Sequence, residues 1–211
     1  MSTKINVLQV IPKLGFGGAE TGCYDLAHYL AEQGCKSFLI TSGGQLLKYV
    51  KRDRVKVIRL PVQLKNPVII FMNSIIIFFI LMIYNIDIVH ARSRAPAWSC
   101  LWACFFSRKE FVTTFHGTYN FSGRFKHFYN SVMVRAKLII GGSNFIFNHI
   151  SENYKKYLDP KKKKLMVIFR GVNLEYFNKN NISEKKVNNL ATSWKIDKKN
   201  FIILLPGRLT K

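Results

Sequence analysis

The stretch that begins the chain constrains its fold most strongly. Residues 5–11 form a short apolar run rich in β-branched side chains, and the glycine-rich residues 13–20, KLGFGGAE, follow it. Residues 19–33 then carry apolar side chains at spacings of three and four, up to Gly34. We expect a buried strand, a loop and an amphipathic helix, the first half of a βαβ unit. Such a unit brings backbone N–H groups to the carboxyl edge of a sheet, where a phosphate or an electron-rich oxygen can bind.

The glycine-rich loop differs from two common nucleotide-binding loops. A GxGxxG fingerprint beginning at Gly15 would need a glycine where Glu20 stands, and no Gly-Lys-Ser/Thr sequence follows for a Walker loop. The loop therefore argues against a nicotinamide-dependent oxidoreductase and a P-loop NTPase. Two interpretations remain for Gly17 and Gly18: they line a ligand site, or they form a tight turn that holds no ligand.

Net charge narrows the class of partner. The 211 residues include 33 Lys and Arg against 11 Asp and Glu, which gives a formal net charge of +22. This surplus favours nucleic acid, an anionic membrane or a phosphorylated substrate as partner. No helix-turn-helix, RNA-reading aromatic strand or zinc-finger pattern is present, so we expect no nucleic acid. Cys100 and Cys104 lack a second Cys/His pair, so we expect buried free thiols and no metal.

The run from Val68 to Tyr84 is apolar apart from Asn73 and Ser74. A membrane-spanning helix would put the strands before and after it on opposite sides of a bilayer, so we expect a crossover helix of the sheet. Its outer face then needs a cover, which is either protein or an anionic membrane surface, and a true membrane span is the third alternative. The basic run from Lys161 to Lys164 is either a solvated loop or a second contact with that membrane.

Strand and helix patterns alternate along the rest of the chain. Strands are predicted at residues 36–41, 55–60, 86–91, 111–115, 137–141 and 165–169, and helices at residues 68–84, 95–106, 125–135 and 143–154. This alternation predicts an α/β fold with a doubly wound, parallel, Rossmann-like sheet. Ligands of such sheets bind at the carboxyl ends of the strands. His116, Ser143 and Arg170 follow three of those ends.

The last residues differ in character from the preceding ones. Residues 179–200 are polar and predict a linker with one short helix, and residues 201–211 read as a strand followed by a Gly-Arg turn. We therefore expect one Rossmann-like domain at residues 1–178 and a linker at residues 179–200. Residues 201–211 would be the first strand of a second domain, and we expect the chain to be truncated at the start of that domain.

Six motifs in order resemble the retaining family 4 glycosyltransferases of GT-B fold. They are Gly17-Gly18-Ala19-Glu20, the run IDIVHARSR at residues 86–94, Thr114-Phe115-His116-Gly117, Ser143-Asn144-Phe145-Ile146, VIFRGVN at residues 167–173, and Pro206-Gly207-Arg208-Leu209-Thr210. The resemblance implies the N-terminal, acceptor-side half of a GT-B enzyme that uses a nucleotide sugar. The His-Ala-Arg-Ser-Arg form resembles bacterial enzymes of envelope polysaccharide and lipopolysaccharide biosynthesis.

The resemblance also implies roles for individual residues. His116 corresponds to the family histidine that lies beside the transferred sugar. Arg208 corresponds to the family arginine that contacts the donor diphosphate. The backbone of Gly17 and Gly18 would contact the same diphosphate. From their positions we expect Arg92 and Arg94 either to hold an acidic acceptor or to be solvated. Ser143 and Asn144 either cap a helix or contact the acceptor.

The expected setting is the cytoplasmic face of the inner membrane. The chain runs directly into a strand instead of a signal peptide, so we expect a cytoplasmic, peripheral membrane protein. The partners are a nucleotide sugar and a lipid-linked or saccharide acceptor, with no metal or other cofactor. We expect no catalysis by this chain alone, because the family's donor-side half is absent. The alternative is a non-catalytic remnant or a sugar- or lipid-binding module.

Overall fold

A strand, a loop and a helix form at the start of the chain, where the sequence predicts them. The computed structural model describes residues 5–119, 123–159, 161, 163–197 and 201–205. It divides into two compact units, Met1–Arg170 and Gly171–Lys211. Arg208 and Lys162 lie outside the described residues, as does the predicted Gly-Arg turn at residues 206–211.

Within the described part of the first unit, seven strands form one parallel sheet. Their bounds are Asn6–Val10 (β1), Lys36–Thr41 (β2), Val55–Arg59 (β3), Ile88–Ala91 (β4), Glu110–Phe115 (β5), Leu138–Gly141 (β6) and Lys164–Val167 (β7). The order across the sheet is β3-β2-β1-β4-β5-β6-β7, and all neighbours are parallel. The predicted doubly wound, Rossmann-like α/β fold is confirmed.

Helices connect the strands on both faces of the sheet. Their bounds are Gly18–Glu32 (α1), Pro67–Ile83 (α2), Arg94–Ser107 (α3), Arg124–Asn130 (α4) and Asn144–Asn153 (α5). Because side chains alternate along a strand, the sheet has two apolar faces and two core clusters. One cluster holds Cys23 and Ala27 of α1, and the other holds Ile77 of α2, Cys100 of α3 and Ile150 of α5.

The apolar run from Val68 to Tyr84 forms the crossover helix α2, as predicted. It joins β3 at one edge of the sheet to β4 near the centre. Asn66 caps its N-terminus by accepting hydrogen bonds from the backbone N–H groups of Val68 and Ile69. No helix among residues 5–119, 123–159 and 163–197 is long and apolar enough to cross a membrane.

The second unit is small and exposed. Its described part contains the helix Glu184–Ser193 (α6), which overlaps the helix predicted in the linker, and a 3-10 turn at Lys179–Asn181. Residues 201–205, where the strand of the second domain was predicted to begin, belong to no helix or strand, and the rest of that segment lies outside the described residues. A strand needs a neighbour for its backbone N–H and C=O groups, and no described residue supplies one. The predicted domain boundaries at residues 178 and 200 stay a prediction.

Candidate functional site

The crevice at the centre of the sheet gathers the predicted ligand-binding residues. β1 and β4 are neighbours, with Val10 opposite Ala91. The helix that follows β1 belongs to one face of the sheet and the helix that follows β4 to the other. The two loops therefore diverge and leave an opening at the carboxyl edge, which is where ligands of open α/β sheets bind.

The loop after β1 is held in place by a second loop. The backbone N–H of Leu14 donates to Gly43 O at 2.7 Å, and the backbone N–H of Leu46 donates to Leu14 O at 2.9 Å. Leu14 is fully buried. A side chain on Gly44, whose φ is +134°, would meet the backbone of Leu14. The glycine loop is therefore fixed before any ligand arrives.

Gly17 and Gly18 begin α1 at the floor of the crevice. Gly17 is the N-cap residue and no side chain of the described residues caps this helix, so its first backbone N–H groups face the opening. Neither glycine has a positive φ. A Cβ on Gly17 would meet the carboxylate of Glu20, and a Cβ on Gly18 would lie 2.6 Å from Nη1 of Arg170. These glycines therefore leave room for one acidic and one basic side chain.

His116 and Arg170 form the central contact of the crevice. Arg170 Nη2 donates a hydrogen bond to His116 Nδ1 at 2.6 Å. A guanidinium only donates, so Nδ1 must accept and the ring proton lies on Nε2. Nε2 is buried and has no partner among the described residues. His116 thus carries an unused N–H donor.

Arg92 lies beneath the crevice instead of being solvated. Its side chain is buried, and Nη1 donates to Gln9 Oε1 at 3.0 Å. Gln9 is held in turn by its own bond from Nε2 to Cys23 O at 3.1 Å. Arg92 Nε is buried without a partner among the described residues, and neither Arg92 nor Arg170 forms an ion pair there. The crevice therefore presents the positive charge of two arginines, and Glu20 beside Gly17 forms an ion pair with neither of them.

The histidines of the crevice are neutral. Burial, with the positive charges of Arg92 and then Arg170, lowers the pKa of His116 from 6.5 to about 3. Burial, with Arg92 and then His116, likewise lowers the pKa of His90 to about 3. His90 Nε2 lies 2.7 Å from Thr114 Oγ1 on the adjacent strand. A neutral His116 with its proton on Nε2 can donate a hydrogen bond but cannot accept a proton there.

Arg94 is occupied by neighbouring side chains. Its Nη1 donates to Asn130 Oδ1 at 2.8 Å, and its guanidinium lies 4.3 Å from the ring centroid of Tyr119. These contacts join the start of α3 to the segment that follows β5. The proposed acceptor-binding role of Arg92 and Arg94 stays a prediction.

Ser143 caps α5, and Asn144 is exposed at its first position. Ser143 Oγ accepts a hydrogen bond from the backbone N–H of Ile146 at 3.2 Å. The capping alternative for Ser143 is therefore observed, whereas an acceptor contact by either residue stays a prediction. Both residues follow β6 at the carboxyl edge.

Sequence reasoning located Arg170 at a strand end but did not connect it with His116. The two residues are separated by 54 positions, and β6 lies between the strands that carry them. The signal available in the sequence was that both residues directly follow predicted strands. Among the described residues no group of three or more His, Cys, Asp or Glu side chains could hold a metal ion.

The sheet order and the loop-lined crevice define a Rossmann-like α/β domain. The sequence model of Glycosyltransferase Family 4 matches residues 16–176, and the chain belongs to this family. No significant match was found among curated proteins.

Solved structures of glycosyltransferases share the fold. A glycosyltransferase from Rickettsia africae ESF-5 is 40% identical, with a TM-score of 0.83 and coverage of 99% of this chain and 54% of that one. HepE from Anabaena, in complex with UDP and glucose, is 13% identical, with a TM-score of 0.66 and coverages of 90% and 50%. The lipopolysaccharide outer core galactosyltransferase WaaB, in its apo form, is 13% identical, with a TM-score of 0.56 and coverages of 80% and 46%. The chain spans about half the length of the solved structures it matches.

Proposed function

We propose that this chain is the acceptor-side half of a retaining glycosyltransferase. The enzyme transfers a sugar from a nucleotide sugar to a lipid-linked or polysaccharide acceptor in cell-envelope, lipopolysaccharide-like biosynthesis. The observation that carries the proposal is the buried Nε2–H of His116, which has no partner among the described residues. It lies at a crevice with two arginines, Arg92 and Arg170, that form no ion pair there. The UDP and glucose in HepE, and the name of WaaB, support the donor and the pathway by analogy of fold.

Each group of the crevice matches a need of glycosyl transfer. Loss of a nucleoside diphosphate develops negative charge on the leaving group, which N–H donors and cations stabilise. The free start of α1 at Gly17 and Gly18 offers such N–H groups, and Arg92 and Arg170 supply positive charge. His116 Nε2–H donates to an oxygen of the sugar without acting as a base. We propose that Arg208 adds a contact to the diphosphate, with no metal or other cofactor.

The proposed location is the cytoplasmic face of the inner membrane. The supporting features are the apolar surface from Val68 to Tyr84, the basic run from Lys161 to Lys164, and the net charge of +22. A lipid-linked acceptor is itself confined to a membrane, so a peripheral enzyme meets it there. The alternative function, a non-catalytic sugar- or lipid-binding module, is favoured by the same apolar surface.

A hybrid enzyme tests the proposal. Residues 1–211 would replace the matching half of the Rickettsia africae glycosyltransferase, which is 40% identical over 99% of this chain. With a panel of nucleotide sugars and bacterial membrane lipids, we expect nucleoside diphosphate release and sugar incorporation. His116→Ala should lower the rate by about 10²-fold, the scale of one lost transition-state hydrogen bond.

Matched variants separate chemistry from folding in that test. His149→Ala changes a histidine of α5 outside the crevice and should leave the rate unchanged. No transfer with any nucleotide sugar by a folded hybrid, while the native Rickettsia enzyme transfers, would support the non-catalytic alternative. Full activity of His116→Ala would overturn the role of His116.

A further inference from the structure

The crossover helix α2 buries its two polar residues and exposes a broad apolar face. Asn73 and Ser74 are buried, and their side chains donate to Pro61 O at 3.3 Å and to Phe71 O at 2.6 Å. Eight large apolar residues of α2 are instead exposed: Val68, Phe71, Met72, Ile75, Ile76, Phe79, Met82 and Ile83. A contiguous apolar surface of this kind indicates an apolar partner.

The neighbouring helix α3 extends this surface with aromatic residues. The rings of Phe71 and Trp102 meet edge to face, with centroids 6.1 Å apart. Phe105 and Phe106 follow near the end of α3 and are 75% and 73% exposed. A groove of about 640 Å³ opens here; its lining residues are Phe71, Leu101, Trp102, Phe105, Phe106, Arg135 and Lys163.

Two cations, Arg135 and Lys163, line this groove together with the apolar side chains. The guanidinium of Arg135 lies 5.3–5.5 Å from the ring centroids of Trp98, Phe128 and Tyr157, which fixes its plane. The ammonium of Lys163 donates to Val134 O at 3.1 Å and to Tyr157 O at 2.6 Å. Burial and then the charge of Arg135 lower the pKa of Lys163, whereas Asp159 raises it.

We propose that this groove binds an anionic phospholipid of a bilayer. The phosphate of the headgroup would lie between Arg135 and Lys163, and an acyl chain would lie along Phe71, Trp102, Phe105 and Phe106. Charge complementarity favours this occupant. An anionic phospholipid carries a negatively charged phosphate and an alkyl chain in one molecule, and the groove combines two cations with an apolar channel. The inference rests on the proposed membrane location and adds to it a specific headgroup site, formed by Arg135 and by Lys163 of the Lys161 to Lys164 run, beside an apolar channel between α2 and α3.

Vesicle binding tests the aromatic part of the groove. The chain is sedimented with vesicles of phosphatidylcholine alone and of phosphatidylcholine with phosphatidylglycerol, and binding to the anionic vesicles is expected. The double variant Phe105→Ser/Phe106→Ser should weaken this partitioning by about tenfold or more, because two exposed rings are lost from the interface. The control Phe125→Ser/Phe145→Ser removes two exposed rings from α4 and α5, outside the groove, and should bind like the unsubstituted chain.

Charge variants test the headgroup contact. Lys163→Gln and Arg135→Gln should each reduce the preference for anionic over neutral vesicles several-fold more than the control Lys51→Gln, which removes an exposed lysine from the β2–β3 connection. Thermal unfolding verifies that each variant folds. If Arg135→Gln does not fold, Lys163→Gln by itself tests the headgroup contact. Equal losses in the Lys51, Lys163 and Arg135 variants would overturn the headgroup site.

The outcomes distinguish this inference from the function on which it rests. Failure of the unsubstituted chain to bind anionic vesicles would overturn both the groove and the membrane location. Binding that survives the Phe105/Phe106 change would overturn the groove alone and leave α2 as the membrane contact. Sugar transfer by the hybrid enzyme is measured separately and depends on neither result.

Discussion

At the scale of single residues, the chemistry of the crevice depends on one hydrogen bond. Arg170 donates to Nδ1 of His116 and so fixes the proton on Nε2, where no described residue uses it. Free histidine populates both neutral tautomers, and the one it adopts here is set by the hydrogen bond of the other ring nitrogen. Arg170 is therefore a positioning residue for His116, and its effect should be visible without any substrate.

Replacing Arg170 by glutamine should release this tautomer. In ¹⁵N NMR spectra of histidine side chains at pH 7, we expect His116 to show a single Nε2–H form in the unsubstituted chain. In Arg170→Gln the two nitrogens should move toward averaged shifts, because the obligatory donor to Nδ1 is lost. Arg124→Gln, which changes an exposed arginine of α4, is the control. A fixed Nε2–H form in Arg170→Gln would show that another group sets the tautomer.

The sequence predicted the positions of these residues better than their contacts. His116 and Arg170 were placed at strand ends by the alternating pattern alone. Their pairing could not be predicted, because it depends on the order of β5, β6 and β7 across the sheet. The burial of Arg92 was equally hidden, since it depends on Gln9, 83 positions earlier, as its hydrogen-bond partner.

At the scale of secondary-structure elements, two loops cooperate to shape the glycine loop. The segment that follows β2 supports Leu14 through the backbone hydrogen bonds of Gly43 and Leu46. Helix α2 gives a second example. Its existence and apolar character were predicted, but not that Asn73 and Ser74 face inward, because the run has no clear polar face from which to orient it.

A Gly44→Ala variant should destabilise the first unit. Its φ of +134° disfavours any L side chain, and the new Cβ would press on the backbone of Leu14, which cannot yield like a flexible side chain. We expect a loss of about 1–3 kcal/mol in the free energy of unfolding, measured in urea. Gly15→Ala is the matched control, because its Cβ would meet nothing within 4 Å and its φ is not positive. Equal stability of the two variants would contradict this account of the loop.

At the scale of the whole molecule, folding removes the side chains of two histidines, His90 and His116, from water. Unfolding at mildly acidic pH returns the buried His90 and His116 to water, where each regains an ordinary pKa near 6.5. The folded chain holds both neutral because burial and the charge of Arg92 oppose protonation. The unfolded state therefore binds more protons than the folded state between about pH 3 and 6.5.

This difference predicts how stability varies with pH. Since a histidine pKa is lower in the folded state, the stability is fully present above pH 6.5 and declines as the pH falls toward the folded pKa values of about 3. Each histidine contributes a slope of up to about 1.4 kcal/mol per pH unit. Urea unfolding from pH 7 to pH 5 measures this effect in a range above the ordinary pKa of Asp and Glu.

The His90→Gln variant identifies the source of the slope. Glutamine keeps a polar group near Thr114 but cannot be protonated. The free energy of unfolding should therefore decrease less between pH 7 and pH 5 in this variant, because the contribution of His90 is removed. A stability that rises or stays level on acidification would mean that His90 and His116 take up protons in the folded chain. The arginine-rich crevice would then not be the neutral-histidine site on which the proposed sugar contact depends.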